Sequence, residues 1–370
     1  MRVGVEAGFL TSVRGGMARY TLDMLTAMLR LDEKCEFVVY SPAPVDIALP
    51  SGRWSLRFPT TNKHRLWTHW LQTSLPMEIA RDRITVLWGQ NHGLPLRLAH
   101  KCQRLLTLHD LTTLVLPATT PFRSRVVGRP LLAASLKAAD AVVTDSRATA
   151  RLASRYSGRS MSDMTVIYPG SRVCKARTTR ELAKSLVSSR FGLNTSFLLA
   201  VGTVEPRKDL ATLMRAHAEL PEAPVLVIVG EPGWRCRSTL TTMRKLELNG
   251  RLRVLSRVSD EELQALYAAA DMLVASSLYE GFGLPVLEAM SQGCPVVCSW
   301  SSSLPEVGGV AARYYPAGDS DHLAQTIGRL LSTPAELDVM SREGIEQARL
   351  FDDGVAGRRL FEVMRSLDSR

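Results

Sequence analysis

The stretch Ser276–Val297, "SSLYEGFGLPVLEAMSQGCPVV", decides how this chain is read. It continues the β-rich run "DMLVASS" (271–277) and passes through a glycine-rich turn into "LPVLEAM", a helical segment with Pro285 near its first position, where a missing N–H costs nothing. Strand, glycine turn and helix in that order form the unit of a parallel α/β sheet. Gly281 and Gly283 lack the Cβ that would keep a ligand from the backbone, and the amides from Gly281 through Phe282 and Gly283 to Leu284 form an anion or sugar cradle. Two carboxylates, Glu280 and Glu288, flank it. A carboxylate repels phosphate, so both make chemical sense as acceptors of sugar or ribose hydroxyls beside a phosphate; on spacing alone they read equally well as capping residues.

The same grammar runs through the chain. Apolar runs "VGVEAG", "FVVYS", "ITVLWG", "RLLTLHD" and "AVVTDS" precede Pro169, and "FLLAVGT", "VLVIVG", "LRVLSRV", "DMLVASS" and "PVVCS" follow it, with helical periods between them. Ser259 before "DEE" marks a helix start. The break from "VIYPGS" through the basic run "RVCKARTTRE" to Phe191 separates two doubly wound domains. The expected organisation is residues 1–180, residues 181–350 and a terminal helix over 351–370. Each domain presents ligand loops at the carboxyl ends of its strands, with a central cleft as the natural active site.

Composition narrows the function. At 370 residues and 45% hydrophobic content the chain is long enough for two cores. Residues 1–180 carry 26 Lys+Arg against 12 Asp+Glu (+14), and the remainder 20 against 24 (−4). A basic half suits an anionic membrane surface, a phosphorylated substrate or nucleic acid, and charge alone does not choose among them. The N-terminus does not read as a signal peptide, and no stretch reaches about 18 apolar residues, so a cytosolic protein is expected. Six cysteines without CxxC spacing point to reduced, buried thiols.

Further elements carry chemistry. In "VGTVEPRKDLATLM" a strand ends at Gly202 and a helix starts near Asp209, which puts Arg207 and Lys208 where two cations would bind a diphosphate. "VEAGFLTSVRGGMARY" opens a backbone approach at Gly15 and Gly16 but lacks the GxGxxG of a dinucleotide site. "LLTLHDLTTLVLP" sets His109 and Asp110 just past a strand end. "NKHRLWTHWLQTSLP" places Trp67 and Trp70 beside Lys63, His64 and Arg65, a combination suited to lipid headgroups, or else a helix packing Leu66, Trp70 and Leu71 on its sheet. The Asp319 and Asp321 pair precedes a helical run and reads as an N-cap rather than a metal ligand set, and "SWSSS" (299–303) reads as a polar loop.

With "RGGMARY", "HD", "ADAVVTDSRATARL", "VIYPGS", "GTVEPRKDL" and the E-x7-E segment in hand, the chain resembles the family 4, or group 1, glycosyltransferases of GT-B architecture, over nearly its whole length. The resemblance implies that Glu280 contacts the donor sugar and Glu288 the ribose. It further implies that Arg207 and Lys208 bind the diphosphate and that His109 sits near the transferred sugar. Gly16 touches phosphate, Gly281, Phe282, Gly283 and Leu284 line sugar and diphosphate, and Gly230, Glu231 and Val258 surround the base. Retention of configuration without metal or cofactor belongs to the same expectation.

The "GTVEPRKDL" form most resembles mannosyltransferases. The expected reaction therefore moves mannose from GDP-mannose to a polyprenyl-diphosphate-linked saccharide, peripheral on the inner face of the cytoplasmic membrane, in bacterial surface polysaccharide assembly; no nucleic acid partner is expected. A UDP- or dTDP-sugar donor is the alternative within this class. A sugar-nucleotide epimerase or a non-enzymatic nucleotide-binding module lies outside it.

Overall fold

The computed structural model describes residues 1–11, 16–32, 34–58, 67–170, 177–220 and 222–369. They pack as two compact units, the first comprising Met1–Leu114, Phe122–Pro169 and Asp352–Arg370, the second Val115–Pro121 and Gly170–Phe351.

Unit 1 is built on β1 (Arg2–Glu6), β2 (Glu36–Tyr40), β3 (Trp54–Arg57), β4 (Val86–Gly89), β5 (Gln103–Leu108), β6 (Ala141–Thr144) and β7 (Met164–Val166). All pair in parallel, in the order β3-β2-β1-β4-β5-β6-β7. Alternation along the strands sends Val3, Val5, Val39, Trp88, Leu105 and Val143 to one face, against Met24, Leu25 and Met28 of the helix Gly16–Leu29 and Leu360, Phe361 and Met364 of the helix Asp353–Asp368. Val38, Leu87, Leu106 and Val142 go to the other, against Trp70, Leu71, Leu75 and Ile79 of the helix Trp67–Arg81. Each such side chain, fully buried, contributes roughly 1.5–3 kcal/mol over its exposed state.

Unit 2 repeats the plan with β8 (Phe197–Val201), β9 (Val225–Val229), β10 (Leu252–Leu255), β11 (Met272–Ala275), β12 (Val296–Ser299) and β13 (Arg313–Tyr315), parallel in the order β10-β9-β8-β11-β12-β13. The strand order reverses direction between β1 and β4 in unit 1 and between β8 and β11 in unit 2. In such sheets the loops on either side of the reversal splay apart and leave a crevice at the carboxyl ends of the strands.

Two strands escaped the pattern of apolar runs. β3 and β13 are sheet edges of four and three residues, and they owe their extended state to pairing with β2 and β12 rather than to their own sequence. The helix caps follow their chemistry. Ser259 and Glu262 form a reciprocal capping box, and Asp319 accepts from the His322 amide at 3.0 Å to start the helix Ser320–Leu331.

The aromatic pair at the start of the helix Trp67–Arg81 takes the packing role that was one of its two readings. Trp70 is fully buried, and the Trp67 indole donates to Glu6 Oε1 at 2.8 Å while lying against the backbones of Gly8 and Gly93. An ideal Cβ at those glycines would come within 2.5 and 2.7 Å of the ring. Lys63, His64, Arg65 and Leu66 lie outside the described residues. Among the described residues no helix is long and apolar enough to cross a membrane. Cys35, Cys102, Cys294 and Cys298 are buried thiols, as the spacing implied; burial pushes the first three up to about 12.

The final helix closes the first core through one small residue. Asp352 caps it by accepting from the Val355 amide at 2.8 Å, and a Cβ at Gly357 would stand 2.5 Å from the Ala27 Cβ. Gly357→Ala gains up to about 1 kcal/mol of helix propensity, but it forces two packed helices apart at a cost of about 1–3 kcal/mol. We expect a lower Tm for Gly357→Ala, restored at least in part by adding Ala27→Gly; an unchanged Tm in the single variant would show that the helices part freely.

Candidate active site

In unit 2 the chemistry gathers at the β8/β11 reversal. β8 runs into Gly202, whose φ of 145° favours glycine and whose missing Cβ lets the Lys208 side chain lie over the backbone, with its Cε 2.9 Å from the ideal position. Gly230, just past β9, is bound even more tightly: a Cβ there would sit 2.0 Å from the Gly202 carbonyl oxygen. The short turn Pro206–Lys208 then presents both cations before Asp209 caps the helix Leu210–Ala218. Two bonds stitch this turn to the loop after β11, from the Leu278 amide to the Arg207 carbonyl (2.9 Å) and from Ser276 Oγ to the Lys208 carbonyl (2.8 Å).

Glu280 is the hub. Its Oε2 accepts from Arg207 Nη1 at 2.6 Å, and its Oε1 accepts from Lys208 Nζ and from Ser277 Oγ, both at 2.6 Å. Arg207 also donates to the Tyr279 carbonyl (2.9 Å) and, through Nη2, to Glu205 Oε1 (2.7 Å). Burial on its own would raise the Glu280 carboxyl; the two cations and the hydrogen bonds overcome it and bring the group down to about 2. Two cations and two carboxylates leave this cluster without net charge. The pair read as diphosphate ligands is thus held by Glu280 itself. Beside it lies a solvent-open crevice walled by Gly202, Lys208, Ser276, Ser277, Glu280 and Gly283.

The loop "SWSSS", taken from sequence as merely polar, is the frame of this site. Ser299 Oγ donates to the Ser277 carbonyl (2.6 Å) and Ser301 Oγ to the Leu278 carbonyl (2.6 Å). Ser302 Oγ accepts from the Glu280 amide (2.7 Å), and Ser303 Oγ reaches the carbonyls of Glu280 (3.0 Å) and Phe282 (2.7 Å). Four hydroxyls therefore fix the backbone of residues 277–282, with Ser302 held at the unfavourable φ of 47°. A serine-rich run after a buried strand is the only trace of this in the sequence, and it does not say which carbonyls the hydroxyls meet.

The remaining expected residues are placed as follows. Gly283, with φ 114°, precedes the helix Leu284–Ser291, which has Pro285 in its first turn. Phe282 is buried with its ring edge-on to Phe351 at 5.6 Å, which makes it a packing group; Gly281 and Leu284 flank it on the same turn. Glu288 is only 2% exposed, and its Oε2 accepts from the Tyr267 hydroxyl at 2.9 Å. Exposed Glu231 follows β9, where its carbonyl accepts from the Val204 amide. Half-buried Val258 follows β10, just after Arg257, whose φ is 56°.

In unit 1, Gly16 is the exposed first residue of its helix, and Gly15 lies outside the described residues. His109 follows β5 and is 8% exposed; its Nδ1 stands 2.7 Å from Asp145 Oδ2, beyond β6, and Tyr20 meets the imidazole edge-on at 4.7 Å. Asp110 Oδ1 accepts from the Thr112 amide at 2.8 Å, which makes it a turn former. Asp145, Gln90 and His92, all close to this point, were not singled out from sequence.

Comparison with known proteins agrees with this geometry. Residues 185–347 match the family model "Glycosyl transferases group 1", and residues 14–172 match "Glycosyltransferase Family 4". The chain is 32% identical to an O-antigen chain mannosyltransferase B of Escherichia coli over 70% of each protein. It is 36% identical to an MMP alpha-(1->4)-mannosyltransferase of Mycolicibacterium hassiacum over 44% of this chain and 41% of that one. Among solved structures, sucrose-phosphate synthase of Thermosynechococcus elongatus superposes with a TM-score of 0.82 at 21% identity, covering 100% of this chain and 99% of that one. WaaG, a glycosyltransferase involved in lipopolysaccharide biosynthesis, superposes at 0.77 and 16%, covering 98% and 99%. At those identities the structural likeness speaks for the fold alone.

Removing the hub carboxylate separates its two effects. Glu280→Gln frees Arg207 and Lys208, so inorganic diphosphate should bind about tenfold more tightly by calorimetry; unchanged affinity would show that the cations do not meet the ligand. Because the folded-state pKa lies below the ordinary carboxylate value of 4.5, the stability Glu280 contributes is complete above that value and is lost as pH falls toward about 2. Acid titration of the folded protein should therefore be shallower in Glu280→Gln than in wild type across that window.

Proposed function

This chain belongs to the family 4, group 1 glycosyltransferases, and on that footing we propose that it transfers mannose from GDP-mannose to a lipid-linked or saccharide acceptor in bacterial surface polysaccharide assembly. The observation that carries the reading is the compensated cluster of Arg207, Lys208 and Glu280 at the β8/β11 reversal, on the wall of a solvent-open crevice. The mannosyltransferase names of the similar proteins support the choice of sugar.

Chemically, a bound diphosphate replaces Glu280 as the partner of both cations. Glu280 is then released to accept hydroxyls of the sugar while Glu288 accepts those of the ribose, in exchange for the Tyr267 hydroxyl. The bond between the sugar anomeric carbon and the diphosphate oxygen breaks, and Arg207 and Lys208 compensate the charge that collects on the leaving oxygen. The acceptor oxygen bonds to that carbon on the same face, and its proton passes to the departing phosphate, so configuration is retained and no metal takes part. The serine frame holds the loop that carries Glu280, so the cradle need not reorganise as charge moves.

The +14 charge of residues 1–180 supports an acceptor on unit 1 presented at an anionic membrane surface, with the protein peripheral on its inner face. A UDP- or dTDP-sugar such as glucose or rhamnose remains the competing donor class.

A panel of GDP, UDP, dTDP and their sugars tests the donor. GDP and GDP-mannose should raise Tm most, with about 2.7 kcal/mol of stabilisation at a hundredfold excess over Kd, and label from GDP-mannose should appear in product only when acceptor is present. Lys208→Ala should cut turnover at least about a hundredfold. A larger shift with UDP or dTDP would move the donor assignment, and free altered sugar nucleotide without acceptor would point to an epimerase.

A further inference from the structure

Between β5 and β6, unit 1 carries a stretch whose outer face is apolar where solvent would call for polar groups. A π-helical turn, Ser124–Gly128, runs directly into the helix Arg129–Ala138. Leu132 and Leu136 of that helix are buried in one core with Leu106 and Val142 of the sheet, as a covering helix requires. Its other side should then be polar. It instead exposes Phe122, Val126, Pro130 and Ala133 at helical spacing, ending in Lys137. Phe122 is 70% exposed and Val126 54%. A π turn holds more residues than an α turn, and Arg123 and Val127 are exposed as well.

The charge around this face has one sign. No acidic residue lies between Pro121 and Ala139, while Arg123, Arg125, Arg129 and Lys137 do. The Arg125 guanidinium stands 5.5 Å from the centre of the Phe122 ring, so cation and apolar group are presented together. The Tyr156 hydroxyl donates to the Arg129 carbonyl at 3.2 Å, which ties the helix Arg147–Ser157 to the end of the π turn. That helix buries Thr149, Ala150 and Ala153 and exposes Arg147, Arg151 and Arg155, four residues apart. The two acids of residues 121–160 are both engaged: Asp140 accepts from the Arg104 amide at 2.7 Å, and Asp145 is buried beside His109.

Apolar side chains standing among cations select one kind of occupant. A protein interface depletes charge at its centre, and a nucleic acid gains nothing from aliphatic groups set between its phosphate contacts. A bilayer of anionic lipid takes both, since its acyl boundary accepts the apolar groups while its headgroup phosphates meet the cations. We propose that the exposed face running from Phe122 to Lys137, with Arg151 and Arg155 beside it, docks unit 1 on an anionic lipid bilayer. Phe122, Val126 and Val127 enter the headgroup boundary, and the arginines pair with lipid phosphates. The assignment rests on the membrane placement given above and fixes it to named residues.

Co-sedimentation of the full chain with vesicles, without donor or acceptor, tests this. Wild type should bind vesicles of phosphatidylglycerol and phosphatidylethanolamine, ignore phosphatidylcholine, and be weakened by high salt, which screens exposed charge. Phe122→Ser combined with Val126→Ser should lower binding by about tenfold or more. Arg151→Gln combined with Arg155→Gln should lower it by about fivefold for each cation removed. All four side chains are exposed, so an unchanged Tm is expected and shows that the variants are folded. Met77→Ser and Leu350→Ser remove exposed apolar side chains elsewhere and should bind as wild type does.

The proposal is overturned if both double variants bind like wild type, which would leave the membrane placement standing on another surface. It is overturned equally if Met77→Ser or Leu350→Ser loses as much as the Phe122 variant. If wild type ignores anionic vesicles, the membrane placement falls with it, and a dimer in light scattering that Phe122→Ser with Val126→Ser dissociates would reassign the face to a second copy of the chain. No nucleotide sugar enters the assay, so none of these results touches the donor assignment.

Discussion

The ion cluster of Glu280 with Arg207 and Lys208 is the interaction on which the rest of unit 2 depends. A lone carboxylate buried at the end of a parallel sheet would be driven toward its neutral form, and two lone cations would repel each other across the turn. Together they hold the loops after β8 and β11 at a fixed separation, and the serine hydroxyls of residues 299–303 lock one of those loops from behind. An anion that took the place of Glu280 on both cations would release that carboxylate in the same step.

Much of this was legible because parallel sheets covered on both faces leave long apolar runs. Most of the described strands announce themselves in that way, "VLVIV" and "FLLAV" most plainly. The edge strands β3 and β13 do not, since their pairing comes from a neighbour. Glu280, Arg207 and Lys208 were legible because each sits in a short glycine- or proline-marked turn between a strand and a helix, where chain order already predicts exposure to a ligand.

Residues that act across the sheet were not legible. His109 and Asp145 are separated by 36 positions and meet only because β5 and β6 are adjacent, and Gln90 joins them through β4. The aromatic pair Trp67 and Trp70 left two readings open in sequence, lipid contact or packing, and Gly8 and Gly93, distant in sequence, clear the space in which the Trp67 indole reaches Glu6. Gly230 is a milder case. Its place beside the site was expected, but its immediate reason is the Gly202 carbonyl, which leaves no room for a methyl group.

The helix Asp353–Asp368 bears on how the molecule is made. Ala356, Leu360, Phe361, Met364 and Leu367 belong to the same core as Val3 and Val5, so the cover that the helix Gly16–Leu29 begins over that face of the sheet is completed only by residues made some 350 positions after β1. Unit 2, nearly contiguous in sequence, has all of its residues once Phe351 has emerged. The order of synthesis and the order of completion are therefore reversed: the half of the protein that begins the chain is finished second. During that interval it carries a half-covered apolar face that chaperones must tolerate.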